Sequence, residues 1–197
     1  MSVKRFEEVI AEYYNAKYAV AVDCCTHAIE LCLRYTQANN VTCPVHTYAS
    51  VPMTFEKLNL TWAFKRYYWI NHYKIENTNI IDAAVFWKQN GYVHGTMMCL
   101  SFQFKKHLNL GRGGMILLDD SVAYQDLCKM RYDGRTDDKP WAEQQIETVG
   151  YHYYMTPEIA ELGVQEFQRV KNLPPKRWSF EDYPDLSKLP VFKNATK

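Results

Sequence analysis

The stretch YAVAVDCCTHAIELCLRYT, residues 18–36, decides the fold. Tyr18–Val22 is a short apolar run that reads as a buried strand. Ile29, Cys32, Leu33 and Thr36 then recur on one helical stripe. A strand that turns tightly into a helix is a building unit of α/β sandwiches. The turn leaves backbone N–H groups free at a helix N-terminus, where the peptide dipole also favours an anion. A phosphate could be held there, with Thr26 adding its hydroxyl, although many α/β proteins carry such a turn without a ligand. Cys24 and Cys25 lie at the same electropositive end, which can make a thiol reactive; simple packing is the plainer reading of both.

The same alternation continues on either side. Before the stretch, Phe6, Val9, Ile10, Tyr13 and Tyr14 recur at helical spacing, with Ser2 as a cap. After it, strands are expected at 41–43, 60–64, 79–82, 97–102 and 114–118, and helices near 47–58, over 121–131 and over 156–171. The last of these opens with Thr156-Pro157-Glu158, an N-cap followed by proline at the first helical position. Residues 65–78 are aromatic, rich in Asn and without clear period. The expected architecture is a three-layer α/β/α sandwich with a mostly parallel sheet over residues 1–172. A Pro-rich C-terminal arm, 173–197, would lie on this subunit or on a neighbour.

Composition narrows the function classes. The 197 residues are 47% hydrophobic and 23% charged, as in ordinary globular chains, so global disorder and coiled coils are excluded. The longest apolar runs are far shorter than the ~20 residues that span a bilayer. Lys and Arg number 23 against 22 Asp and Glu, so no overall field draws in nucleic acid or an anionic membrane. With no export signal read at the N-terminus, a cytoplasmic location and reduced cysteines are expected. The six cysteines include no C-x-x-C pair, so no metal site is expected.

Two further segments could carry chemistry. In NIIDAA (79–84), Asp82 ends an apolar strand, and a buried carboxylate needs a partner. A backbone turn or an Arg would serve, and so would a cationic ligand nitrogen. In SFQFKKHLNLGRGG (101–114) a strand end is followed by Lys105, Lys106 and a Gly-rich turn. The order is not that of a Walker A loop, and two loop lysines commonly form a solvated surface.

Taken together and in this order, the segments resemble the DegT/StrS-type sugar aminotransferases, fold type I enzymes that depend on pyridoxal phosphate. FEEVIAEYYNAKYAVAVDCCTHAIELCL (6–33) is similar to that family's helix, strand and SSGTAAL-like turn. CPVHTYASV (43–51) resembles its P-x-x-T-[aromatic]-x-A segment, and NIIDAA its V-x-E-D-A-A. SFQFKKHLNLGRGGMILLDD (101–120) resembles S-F-x-x-x-K-N-L-x-x-G-E-G-G, and GYHYYMTPEIAELGVQEF (150–167) resembles G-Y-N-Y-R-M-T-x-x-x-A-A-L-G. The five segments hold 81 of the 197 residues and are spread from residue 6 to residue 167.

The resemblance implies a reduced version of the fold type I large domain, with Lys106 forming a Schiff base to the cofactor and Asp82 pairing with its pyridine nitrogen. Tyr48 would stack on the ring, Thr26 and Ser101 would bind on the cofactor's phosphate side, and Cys25 and Gln103 would also contact the cofactor. His152 takes the place of an Asn that this family lends from the partner subunit, so a homodimer with shared sites is implied. The implied reaction moves an amino group, by ping-pong transfer, from an amino acid such as glutamate to a nucleotide-linked keto-sugar. An alternative is a non-catalytic relative acting as a binding or interaction protein.

The departures from the pattern carry their own expectations. Only 14 residues separate Phe64 from Asn79, where the family has several dozen more. Little follows the last motif helix, so most of the family's small domain has no counterpart. Asp23-Cys24-Cys25 replaces Ser-Ser-Gly, Val85 replaces a polar residue, Arg112 replaces Glu and Tyr154 replaces Arg. If the turn needs a left-handed residue or a close phosphate approach, Cys25 in place of Gly costs about 1 kcal/mol.

Overall fold

Period-two burial in the strands sorts the side chains into two cores, one on each face of the sheet. Val20 and Val22 of β1 (Tyr18–Val22), Cys99 of β6 (Met97–Ser101) and Ile116 of β7 (Gly114–Leu118) enter one core; Ala19, Ala21, Met98 and Met115 enter the other. The first core is closed by α2 (Cys25–Tyr35), α3 (Ser50–Lys57) and α4 (Ser121–Met130) through Ile29, Phe55 and Leu127. The second is closed by α1 (Ser2–Tyr14) and α5 (Pro157–Val170) through Phe6, Ile10 and Phe167. These are the three layers expected. The computed structural model describes residues 2–193, so the last four residues of the expected arm lie outside it.

The remaining strands are β2 (Asn40–Pro44), β3 (Thr61–Lys65), β4 (Tyr73–Lys74) and β5 (Ile80–Asp82). The main sheet has the order β1-β7-β6-β5-β4, and β2-β3 form a separate parallel pair. Antiparallel ladders join β1 to β7, β6 to β7 and β4 to β5, while β5 and β6 pair in parallel. Ladder by ladder the sheet is therefore more mixed than the expected mostly parallel one. Strand direction restores the expectation: only β4 and β7 run against the other five. The two sheets are linked because the β4 segment continues to Glu76, which bridges Thr42 of β2 antiparallel.

That link is the chain's answer to its short 65–79 segment. The Glu76 backbone N–H donates to Thr42 O at 3.1 Å, and its carboxylate accepts from Thr42 Oγ1 at 2.7 Å and Lys65 Nζ at 2.7 Å. In a tight β4–β5 hairpin, β4 thus sits between β5 and the β2–β3 pair. The hairpin turn places Asn77 at φ 62°, a left-handed conformation that Asn tolerates better than most residues. Of this hairpin β5 was expected, but β4 was not legible as strand, since it has only two residues and no alternation.

A buried ion pair pins the layers together. Glu7 of α1 accepts from the Ala21 backbone N–H at 2.7 Å and from Arg131, whose guanidinium also donates to Ala21 O at 2.7 Å. Among the described residues, no helix is long and apolar enough to cross a membrane.

Candidate active site

The carboxyl ends of β1, β5 and β6 all open on one cavity of about 660 Å³. Ligands of open α/β sheets bind at this edge because the turns there expose free backbone groups and helix N-termini. Seven of the eight residues singled out from the sequence line it: Cys25, Thr26, Tyr48, Asp82, Ser101, Gln103 and Lys106. His152 does not line its own chain's cavity. It bonds the Asp133 carboxylate at 2.9 Å and packs edge-on against Tyr154.

The turn into α2 is shaped by an unusually close approach from β7. A Cβ on Gly114 would lie 2.4 Å from the Cys24 carbonyl carbon and 2.5 Å from the Cys25 nitrogen, so only glycine fits. Cys25 itself is absent from the left-handed residues, and its thiol turns inward to donate to Cys99 O at 3.5 Å. The turn therefore needs no left-handed residue at this position, and that strain does not arise. Burial pushes the Cys25 thiol well above the ordinary value, which makes it a packing residue rather than a nucleophile. Thr26 Oγ1 meets Ser50 Oγ at 2.8 Å, joining the starts of α2 and α3.

Charged side chains gather beside this turn. Asp23 accepts from Arg112 at 2.6 Å and pairs with His27 Nδ1 at 2.6 Å. His27 stacks on Tyr153 with ring centres 3.6 Å apart. Burial opposes its charge, but the Asp23 and Cys24 hydrogen bonds prevail and hold its pKa at about 9. Asp23, Cys24 and His27 also bring metal-capable atoms within 4.8 Å of one another, yet the Arg112 charge bonded to Asp23 opposes a cation there.

Lys106 follows β6 in a turn closed by its N–H to Gln103 O at 2.8 Å. Lys105 is exposed, whereas Lys106 is half-buried in the cavity wall with its ammonium 5.6 Å from the Trp178 ring centre. Burial draws the Lys106 proton affinity below that of an ordinary lysine, against the attraction of the Cys25 and Asp82 sites. A lysine amine is nucleophilic only when unprotonated, and burial favours that form at Lys106. Asp82, 6% exposed, accepts from Tyr73 Oη at 2.6 Å and from the Ala84 N–H at 3.0 Å. Burial lifts its carboxyl above the usual range, against those two hydrogen bonds and the charges of Lys106 and His72.

Several lining residues were not legible beforehand. Trp69, Asn71 and Tyr73 come from the segment without period, and Trp178, Asp182 and Tyr183 from the C-terminal arm. The arm is held down by backbone bonds from Asn71 N to Trp178 O (2.8 Å), from Phe180 N to Trp69 O (3.1 Å) and from Leu186 N to Val45 O (2.9 Å). It lies on its own chain and walls the cavity on the side of Lys106.

A three-layer sandwich with a cavity at the carboxyl edge of its sheet places the protein among α/β domains of the pyridoxal-phosphate aminotransferase fold. Solved structures agree on the fold. A 3-amino-5-hydroxybenzoic acid synthase superposes with a TM-score of 0.70 at 19% identity, covering 86% of this chain and 56% of that one. AtS13 from Actinomadura melliaura gives 0.73 at 20% identity, over 86% and 60%, and the sugar aminotransferase CalS13 from Micromonospora echinospora 0.73 at 14%, over 87% and 61%. The chain thus spans about three-fifths of the length of these relatives. No curated protein matches it. The family model of the DegT/DnrJ/EryC1/StrS aminotransferases matches residues 1–64 and 84–183, and the chain belongs to that family. The unmatched gap is the hairpin segment, and it includes Asp82.

Proposed function

We propose that the chain binds pyridoxal phosphate and transfers an amino group from an amino acid, such as glutamate, to a nucleotide-linked keto-sugar. The observation that carries this reading is the meeting, in one cavity, of a lysine with lowered proton affinity and a buried acid at the ends of neighbouring strands. The donor set fits the cofactor: an amine for its aldehyde, a carboxylate for its ring nitrogen, and a helix N-terminus with hydroxyls for its phosphate.

Bound there, pyridoxal phosphate would supply an electrophilic carbon and a ring able to store electron density. Lys106 Nζ would bind the aldehyde and, once released, carry the substrate's α-proton as general acid and base. Asp82 would keep a proton on the ring nitrogen. Thr26, Ser101, Gln103 and the N–H groups opening α2 would hold the phosphate, and Tyr48 would cover the ring. The arm, with Trp178 and Tyr183, would exclude water from the Lys106 side. His152, directed away from its own cavity, would serve a partner's site in a homodimer. A cytoplasmic location belongs to the same reading.

The charged trio Arg112–Asp23–His27 beside the phosphate turn favours a second reading, a family member that binds ligands without transamination. Incubation with glutamate and a panel of keto-sugar nucleotides separates the two. Amine transfer that is lost in Lys106→Ala supports the enzyme, and its absence with every sugar supports the binding protein.

A further inference from the structure

The hydroxyl of Tyr73 is the polar group closest to the proposed chemistry that neither the motifs nor the family match accounts for. Tyr73 lies directly opposite Asp82 in the β4–β5 ladder. Its phenol donates to Asp82 Oδ2 at 2.6 Å, the length of a hydroxyl bonded to an ionised carboxylate. The Tyr73 phenol oxygen also makes a short contact with Thr47 Oγ1, one residue before Tyr48. Tyr73, Thr47 and Asp82 are all buried, and the Tyr73 ring packs on Trp69 at 5.3 Å. A phenylalanine would fill this space equally well, so packing alone does not explain the hydroxyl.

We propose that Tyr73 is a positioning residue: from the hairpin outside the family match, it holds Asp82 ionised and fixes Oδ2 in the orientation needed to meet a ring nitrogen. Burial and the Asp82 charge push the Tyr73 phenol well above its ordinary value, so it stays a donor across the working range. Oδ1 is taken by the Ala84 N–H, and Oδ2 keeps a second lone pair for a ligand. Asp82 is also faced by Lys106 after β6, His72 before β4, Cys25 of α2, Cys43 of β2, Cys99 of β6, Tyr67, and Tyr183 of the arm. Of these, burial raises the thiols and phenols and lowers His72, so around neutrality Lys106 is the other group that favours the Asp82 charge.

The inference rests on the proposed cofactor reading, but its test does not need the cofactor. The Asp82 carboxyl is titrated by ¹³C NMR in the cofactor-free protein, with Asp82→Asn assigning the signal. Tyr73→Phe is expected to raise its proton affinity about tenfold, and Thr47→Val, which weakens the phenol as a donor, to move it less in the same direction. In binding titrations, Tyr73→Phe should hold pyridoxal phosphate about tenfold more weakly at neutral pH and recover as pH rises. An Asp82 titration unmoved by both variants overturns the proposal. A titration that moves while the unaltered protein fails to bind pyridoxal phosphate would overturn the cofactor reading instead and leave the Tyr73 role standing.

Discussion

Gly114 and Cys24 meet so closely that a single added carbon would lie 2.4 Å from the Cys24 carbonyl carbon, with backbone on both sides and no flexible tip to give way. β7 therefore sets the shape of the turn from which α2 projects its N–H groups. Gly114→Ala should destabilise the fold by about 1–3 kcal/mol, the usual cost of overpacking, and should weaken phosphate and pyridoxal phosphate binding together. Urea melts and equilibrium dialysis check both. Unchanged dialysis would remove the turn from the site.

Glu7 and Arg131 form a buried pair with the Ala21 backbone between them, joining α1, β1 and the end of α4. Removing one partner leaves the other charge buried and uncompensated, at a cost of about 3–5 kcal/mol. Glu7→Gln should lower the unfolding free energy read from urea melts by that amount. A loss under 1 kcal/mol would show that water reaches Arg131.

His27 gives stability a pH window. Its pKa is raised from 6.5 to about 9, so the stabilisation is fully present below 6.5 and is lost as pH rises through about 9. The unaltered protein should lose stability between pH 6.5 and 9.5, and Asp23→Asn should flatten that slope. Denaturation series at both ends of the window measure it. Parallel slopes would contradict the assignment.

Asp82 runs in the same pH direction at the site, although here burial favours the neutral form. Its raised carboxyl means that the neutral form stabilises the fold, a contribution lost as pH rises through the folded value. Asp82→Asn should therefore melt no lower, and up to a few degrees higher, than the unaltered cofactor-free protein at neutral pH, while losing pyridoxal phosphate binding. Thermal scans with and without the cofactor provide the comparison.

Much of this was legible in the sequence because strand ends announce themselves. Tyr18–Val22, Met97–Ser101 and Gly114–Leu118 are apolar runs closed by polar residues, so their ends, and the residues that follow them at the sheet edge, could be placed. Asp82 closes the apolar run Ile80–Asp82 in the same way, whereas Lys106 was singled out by the likeness of 101–114 to a family motif, its residues alone reading as a solvated loop. Tyr73 was not legible, because a two-residue strand has no period and its register comes from the neighbouring strand. Trp178 and Tyr183 were equally hidden. Their position depends on backbone bonds to Asn71, Trp69 and Val45, contacts over a hundred residues away that no local pattern encodes. The harmless accommodation of Cys25 was also illegible, since only the backbone angles show that its turn needs no left-handed residue.

The arm's place over Lys106 has a kinetic consequence. Trp178 helps to bury the amine, and burial is the first cause of its lowered proton affinity. Trp178→Ala should admit water, return the amine toward an ordinary lysine and move the pH midpoint of pyridoxal phosphate attachment upward. An unchanged midpoint, read from the absorbance of the bound cofactor, would mean that the arm does not tune Lys106.

The most direct measurement is chemical. Protein incubated with pyridoxal phosphate is reduced with borohydride, digested and weighed peptide by peptide. One pyridoxyl group on Lys106, absent in Lys106→Ala and retained in Lys105→Ala, is the expected result. A label on Lys105, on scattered surface lysines or on none would contradict the central claim.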